Sequence, residues 1–186
     1  MVAQVLAVAS LVLFVVLVVA FAYVLRRAAR VVAVTREGDA FRRDGAALAE
    51  RAVTAITAGA ERIDRVRRRI DAPATLDEVL PHLLEQLGAL RVEADALVPP
   101  AALAPAGARI AGEIDRVSRA VEMVQHGCVL LGTEGGRPRQ LEGETSVKRG
   151  YLNLLHAREA LLSAAEGLRS GRAEAAGWYS RRPRSS

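Results

Sequence analysis

The chain has 186 residues, 51% of them apolar, with 26 basic and 21 acidic side chains for a net charge of +5. This length holds one domain plus an anchor, and the modest positive charge points only weakly to an anionic partner. A single cysteine, Cys128, excludes an intrachain disulfide and a cysteine-built zinc site, and Lys148 as the only lysine gives an arginine bias of the kind a GC-rich genome produces.

No charged residue occurs from Met1 to Leu25, and only Gln4, Ser10 and Tyr23 in that stretch are polar. Twenty-four helical residues span about 36 Å, against roughly 30 Å of bilayer hydrocarbon. A cleaved signal peptide would need a basic start and an apolar run of only about 7–15 residues. The stretch therefore reads as an uncleaved transmembrane span, despite the small-x-small triplet Ala20-Phe21-Ala22. Arg26, Arg27, Arg30 and Arg36 follow it and no basic side chain precedes it. Positive flanks stay inside, so the body is expected in the cytoplasm. Tyr23, Arg26, Arg27 and Arg30 are expected at the membrane interface, Tyr23 as an interfacial aromatic.

The expected organisation is an anchor over 1–25, a juxtamembrane segment over 26–39, a helical bundle over 40–176 and a basic aromatic tail over 177–186. Gly38-Asp39 reads as a break before the first body helix, which is predicted over 40–71. Its apolar line is Phe41, Gly45, Leu48, Ala52, Ile56, Gly59, Ile63, Val66 and Ile70, a heptad with one stutter near 52–56. Pro73 ends that helix, and Thr75 with Glu78 reads as a capping box for the second. The second seam is Leu76, Leu80, Leu83, Leu87, Leu90, Ala94 and Leu97, with a kink expected at Pro81. Pro99, Pro100, Pro105 and Gly107 make a connector. The third seam, Ile110, Ile114, Val117, Val121, Val124, Cys128 and Leu131, keeps strict 4,3 spacing. Residues 132–144 read as a polar, glycine-rich, mobile loop. The fourth helix is predicted from Thr145 or Ser146, with Val147, Tyr151, Leu154, Leu161, Ala165 and Leu168 on its seam and Arg158 interrupting it. Four amphipathic helices separated by breaks define an all-α fold, an antiparallel four-helix or coiled-coil-like bundle behind a transmembrane helix.

Candidate chemistry thins out under the same register. His82, His126 and His156 each lie near a glutamate, as metal-binding bundles require, but they fall at heptad positions c, f and f, which face water. The glycines of 132–144 beside Lys148 lack the G-x-x-x-x-G-K-[ST] order and the preceding strand of a phosphate loop. Ser118, Cys128 and Ser163 have no elbow motif and no base in register, and Cys128 at an a position reads as a small buried hydrophobe. Asp77-Glu78 sits where it complements a helix dipole. The run Arg65, Arg67, Arg68, Arg69 reads as a solvated helix end rather than a nucleic-acid surface, which would be broader and carry stacking aromatics. No catalytic residue, cofactor or metal is expected. In the tail, Trp178 and Tyr179 beside Arg181, Arg182 and Arg184 suit contact with an anionic lipid interface or a partner.

One span followed by a long helical body resembles, in layout, several bacterial membrane-protein families, the LemA family among them. Tyr23-Val24 stands where that family carries Tyr-Asn, and its Ile-Asp-Val-Gln-Leu stretch has no counterpart. The resemblance carries no residue role. The expected function is that of a single-pass, membrane-anchored, non-catalytic interaction or scaffold subunit, bound to the bilayer and to another protein or itself through helix packing. The alternative is an extracytoplasmic ligand-sensing bundle.

Overall fold

The structure, a computed structural model, describes the backbone of residues 2–133 and 136–171, and the side chains of 17–27, 35–133 and 136–171. Every regular element among the described residues is helical. In chain order they are α1 (Val2–Arg67), a 3-10 turn (Pro73–Leu76), α2 (Val79–Ala96), α3 (Ala104–Gly132) and α4 (Gly136–Arg169). The chain divides into two compact units, Met1–Asp39 and Ala40–Ser186. The helix break expected at Gly38-Asp39 is absent, because one glycine costs a helix only about 1 kcal/mol and α1 continues through it.

In the first unit, every described side chain from Leu17 to Arg27 is exposed. Among the described residues no helix is long and apolar enough to cross a membrane. The side chains of residues 2–16, most of the expected span, lie outside the described residues, as does that of Arg30.

The second unit is a helical bundle around one apolar cluster. The register of its helices follows from cross-helix pairs. Arg51 pairs with Glu93, and Gly59 faces Leu83, so the 40–67 part of α1 runs antiparallel to α2. Arg91 of α2 bonds Asp115 of α3 at 2.8 Å, and Gly127 and Gly150 are matched by Gly143 and Val124 across α3 and α4. Glu50 pairs with Arg169, and Arg69 with Glu144 at 2.6 Å, which closes the ring from α4 back to α1. These exposed ion pairs report register and add little stability. The stability lies in the seams. Leu48, Ile56, Ile63, Leu87, Ile114, Leu154 and Leu161 are fully buried, each large aliphatic side chain contributing about 1.5–3 kcal/mol by leaving water.

Three local expectations change. The first body helix stops at Arg67 rather than at Asp71. The N–H of Ile70 donates to Arg65 O and that of Arg69 to Val66 O, both at 2.8 Å, with Arg69 in the left-handed region at φ 60°. That is a Schellman end built on arginine instead of glycine, and it swings Ile70 off the seam to 60% exposure. The capping box at Thr75 does not form. Leu76 turns into the core, so 73–76 winds as a 3-10 turn in which the Thr75 hydroxyl donates to Ala72 O at 2.7 Å. Pro81 is the third residue of α2, where a missing N–H has no intrahelical partner to lose, which removes the reason for a kink.

The largest correction concerns 132–144. Apart from 133–135, of which 134 and 135 lie outside the described residues, this stretch is helix, and α4 starts at Gly136. Pro138 sits in the first turn, which tolerates it. Gly143 is buried against α3: a Cβ placed there would fall 2.9 Å from the carbonyl oxygen of Gly127. The glycines that suggested a flexible loop instead allow two helices to touch backbone to backbone.

Candidate functional site

The helical backbone of α1 places Tyr23, Arg27 and Arg30, at spacings of four and three, on one face, with Arg26 beside them. Tyr23 is 64% exposed, and Leu17, Val18, Val19, Phe21, Val24 and Leu25 are all more than half exposed. These residues cover more than two turns, so the apolar surface encircles the helix and ends abruptly at Arg26 and Arg27. The other expected contact group, Trp178, Tyr179, Arg181, Arg182 and Arg184, lies outside the described residues.

The arginine run at the end of α1 is matched locally. Arg65 donates two hydrogen bonds to Asp71, at 2.6 and 2.9 Å, and Arg67 donates two to Asp64. Arg68 also pairs with Asp64, Arg69 pairs with Glu144, and the Arg67 guanidinium lies 5.1 Å over the Tyr151 ring. The hydrogen bond from Arg67 holds the Asp64 carboxyl below its ordinary value, and that from Arg65 does the same for Asp71. Charges that bond one another in this way present little field to a polyanion. His82, His126 and His156 are all exposed, as the heptad register required. Among the described residues no cluster of His, Cys, Asp or Glu could hold a metal ion.

Cys128 is 7% exposed. Burial, with a smaller contribution from the Asp77 charge, pushes its thiol up from 9.0 to about 11. At neutral pH the folded chain therefore holds about a hundredfold less thiolate than the unfolded one. A disulfide-exchange reagent should modify Cys128 slowly in native protein and rapidly in denaturant, and equal rates would show an open thiol. The sign for stability follows: a raised folded pKa favours the neutral thiol, so this contribution is complete below pH 9 and is lost as pH rises through about 11.

One surface was not anticipated from the sequence. Between α1 and α2 lies an open groove made of two adjoining hollows, of about 540 and 400 Å³, that share Ala55, Ala58 and Gln86. The first is floored by Ala55, Ala58, Ala89 and Leu90 and rimmed by the paired Arg51 and Glu93. The second passes Gly59 and Leu83 to Arg62, Glu78 and His82. The helices can leave this groove because the positions flanking the seams are alanine. The signal was present in the sequence as Ala55, Ala58 and Ala89, but alanine fits core and surface equally and marks neither.

The fold and its surfaces define an all-helical bundle preceded by an exposed apolar helical stretch. No protein-family model matches the chain, nor does any curated protein or solved structure.

Proposed function

We propose that the chain is a single-pass membrane-anchored bundle, with its body on the cytoplasmic side, acting as a non-catalytic interaction or scaffold subunit. The observation that carries this reading is the apolar collar of Leu17–Leu25, exposed on every side of α1 and stopped by Arg26 and Arg27. A soluble helix hides such residues or interrupts them with charge, whereas a bilayer solvates them. The uncharged run Met1–Leu25 supplies the length, and the arginines that follow it, Arg26, Arg27, Arg30 and Arg36, favour the cytoplasmic side for the body. The α1–α2 groove is the surface offered to a partner. Its alanine floor admits a helix ridge or a large side chain, and its rim supplies both signs of charge. Anchoring confines that surface to the membrane and raises its local concentration there.

The test is twofold. The chain should remain in the membrane pellet after alkaline carbonate washing, and deletion of residues 1–25 should release it. Reporters fused after residue 186 should be active only when the reporter works in the cytoplasm. Release of the full chain by carbonate would end the anchor, and activity of an extracytoplasmic reporter would move the body across the membrane and favour a ligand-sensing bundle.

A further inference from the structure

We infer that α4 carries a second, outward-facing seam through which two copies of the chain pair antiparallel. The starting point is a heptad line on the side of α4 turned away from the core. Leu141, Thr145, Lys148, Leu152, Leu155, Glu159, Leu162 and Glu166 follow one another at spacings of 4, 3, 4, 3, 4, 3 and 4. At about 3.6 residues per turn these eight share one face. It lies roughly opposite Val147, Leu154, Leu161 and Leu168, which fill the core. Leu155 is half-buried and the other seven are exposed. A solvated helix face has no use for leucine at half of its positions, and the strict period of 3.5 is that of a coiled-coil seam.

Charge then selects the occupant and its direction. A twofold axis passing between Asn153 and Leu154 sets Leu152 against Leu155 of the second copy and Lys148 against its Glu159, each contact occurring twice. Thr145 meets Leu162 in the same register, and Leu141 lies along the stem of Glu166. Lys148 and Glu159 stand about 16 Å apart on their own helix, too far to pair within one chain. Neither has an ion-pair partner among the described residues. A parallel pair in register would instead bring Lys148 to Lys148, Glu159 to Glu159 and Glu166 to Glu166, so repulsion disfavours it. The line is thus complementary to itself, as a contact between identical surfaces requires. None of its residues lines the α1–α2 groove, so a pair presents that groove twice. The inference deepens the reading of an interaction subunit by naming the second copy, and it depends on neither the anchor nor the groove.

Sedimentation of the full chain in detergent micelles should show a dimer. Lys148→Glu turns two attractions per pair into repulsions and should weaken dimerisation roughly tenfold. Lys148→Glu combined with Glu159→Lys should restore it, because every facing pair again has opposite signs. Both positions are exposed, so helical circular dichroism should be unchanged in either variant. Three results overturn the inference: a monomeric wild-type chain, which leaves the face to a different protein's helix; a dimer indifferent to Lys148→Glu, which places the contact elsewhere; or a double reversal that stays monomeric. A monomer that resists carbonate keeps the anchor and loses this inference, whereas a dimer that carbonate releases does the reverse.

Discussion

Leu87→Asp is expected to abolish the folded bundle. Leu87 is fully buried in the seam of α2, within the cluster that unites all four helices. Among the described residues the core holds no buried polar or charged side chain, so an aspartate there finds no donor. Leaving a carboxyl unbonded in such surroundings costs several kcal/mol on top of the lost apolar burial. Small domains have only about 5–15 kcal/mol in hand. Far-UV circular dichroism should fall sharply, and the urea transition should move to very low denaturant or vanish. Gly88→Asp, one residue away on the exposed face, is the control, because it adds the same charge without burying it. A Leu87→Asp protein that unfolds at the same urea concentration as this control would show the seam of α2 to be wrongly assigned.

The seams themselves were legible because they rest on one strong regularity. A leucine or isoleucine every three or four residues has only one way to leave water in a helix. Accordingly Leu76, Leu80, Leu83, Leu87 and Leu90 are all buried, as are Ile110, Ile114, Val117, Val121, Val124 and Cys128. Arg158, which breaks the fourth seam, lies half-buried, and the Nε of its guanidinium is itself buried without a hydrogen-bond partner among the described residues rather than turned out to water.

What failed to show was wherever a small residue carried the information. Gly136 and Gly143 look like loop punctuation in the sequence. Only Gly136, at φ +66°, acts as punctuation, while Gly143 is a buried helix position, as is Gly150 within the predicted fourth helix. Gly143, Gly150, Ala157 and Ala164 recur every seven residues and are all buried. That heptad of small side chains was hidden beside the louder one of Val147, Leu154, Leu161 and Leu168. Helix ends were equally opaque. Nothing in the local sequence says that Arg69 will adopt a conformation glycine prefers. Its Schellman hydrogen bonds and its ion pair with Glu144 hold it there. The groove escaped notice for the same reason, since alanine signals neither core nor surface. The exposed apolar residues Leu17–Leu25, by contrast, fall in a charge-free run that the composition shows directly.

Gly150→Ala and Gly88→Ala should shift stability in opposite directions, although both add one methyl group to the middle of a helix. At Gly150 a Cβ would lie 2.5 Å from Val124 Cγ2 and 2.7 Å from the carbonyl oxygen of Ala120. The first neighbour is a side-chain methyl and could turn aside, but the second is backbone and cannot move without displacing α3. Gly127 repeats the situation from the other helix, with Gly143 O at 2.8 Å and Val147 N at 2.9 Å. Prising the two helices apart also opens space around Val147 and Leu154, so each substitution should cost about 1–3 kcal/mol. At Gly88, by contrast, nothing lies within 4 Å of the added Cβ. There alanine only restricts the unfolded chain and improves helix propensity, which stabilises by roughly 0.5–1 kcal/mol. Urea denaturation of both variants, read by circular dichroism with equal slopes, gives the two signs directly. If Gly150→Ala proved as stabilising as Gly88→Ala, α3 and α4 would not meet through their glycines. The stretch 136–144 would then lose its reason to be helix, and the original expectation of a loop there would return.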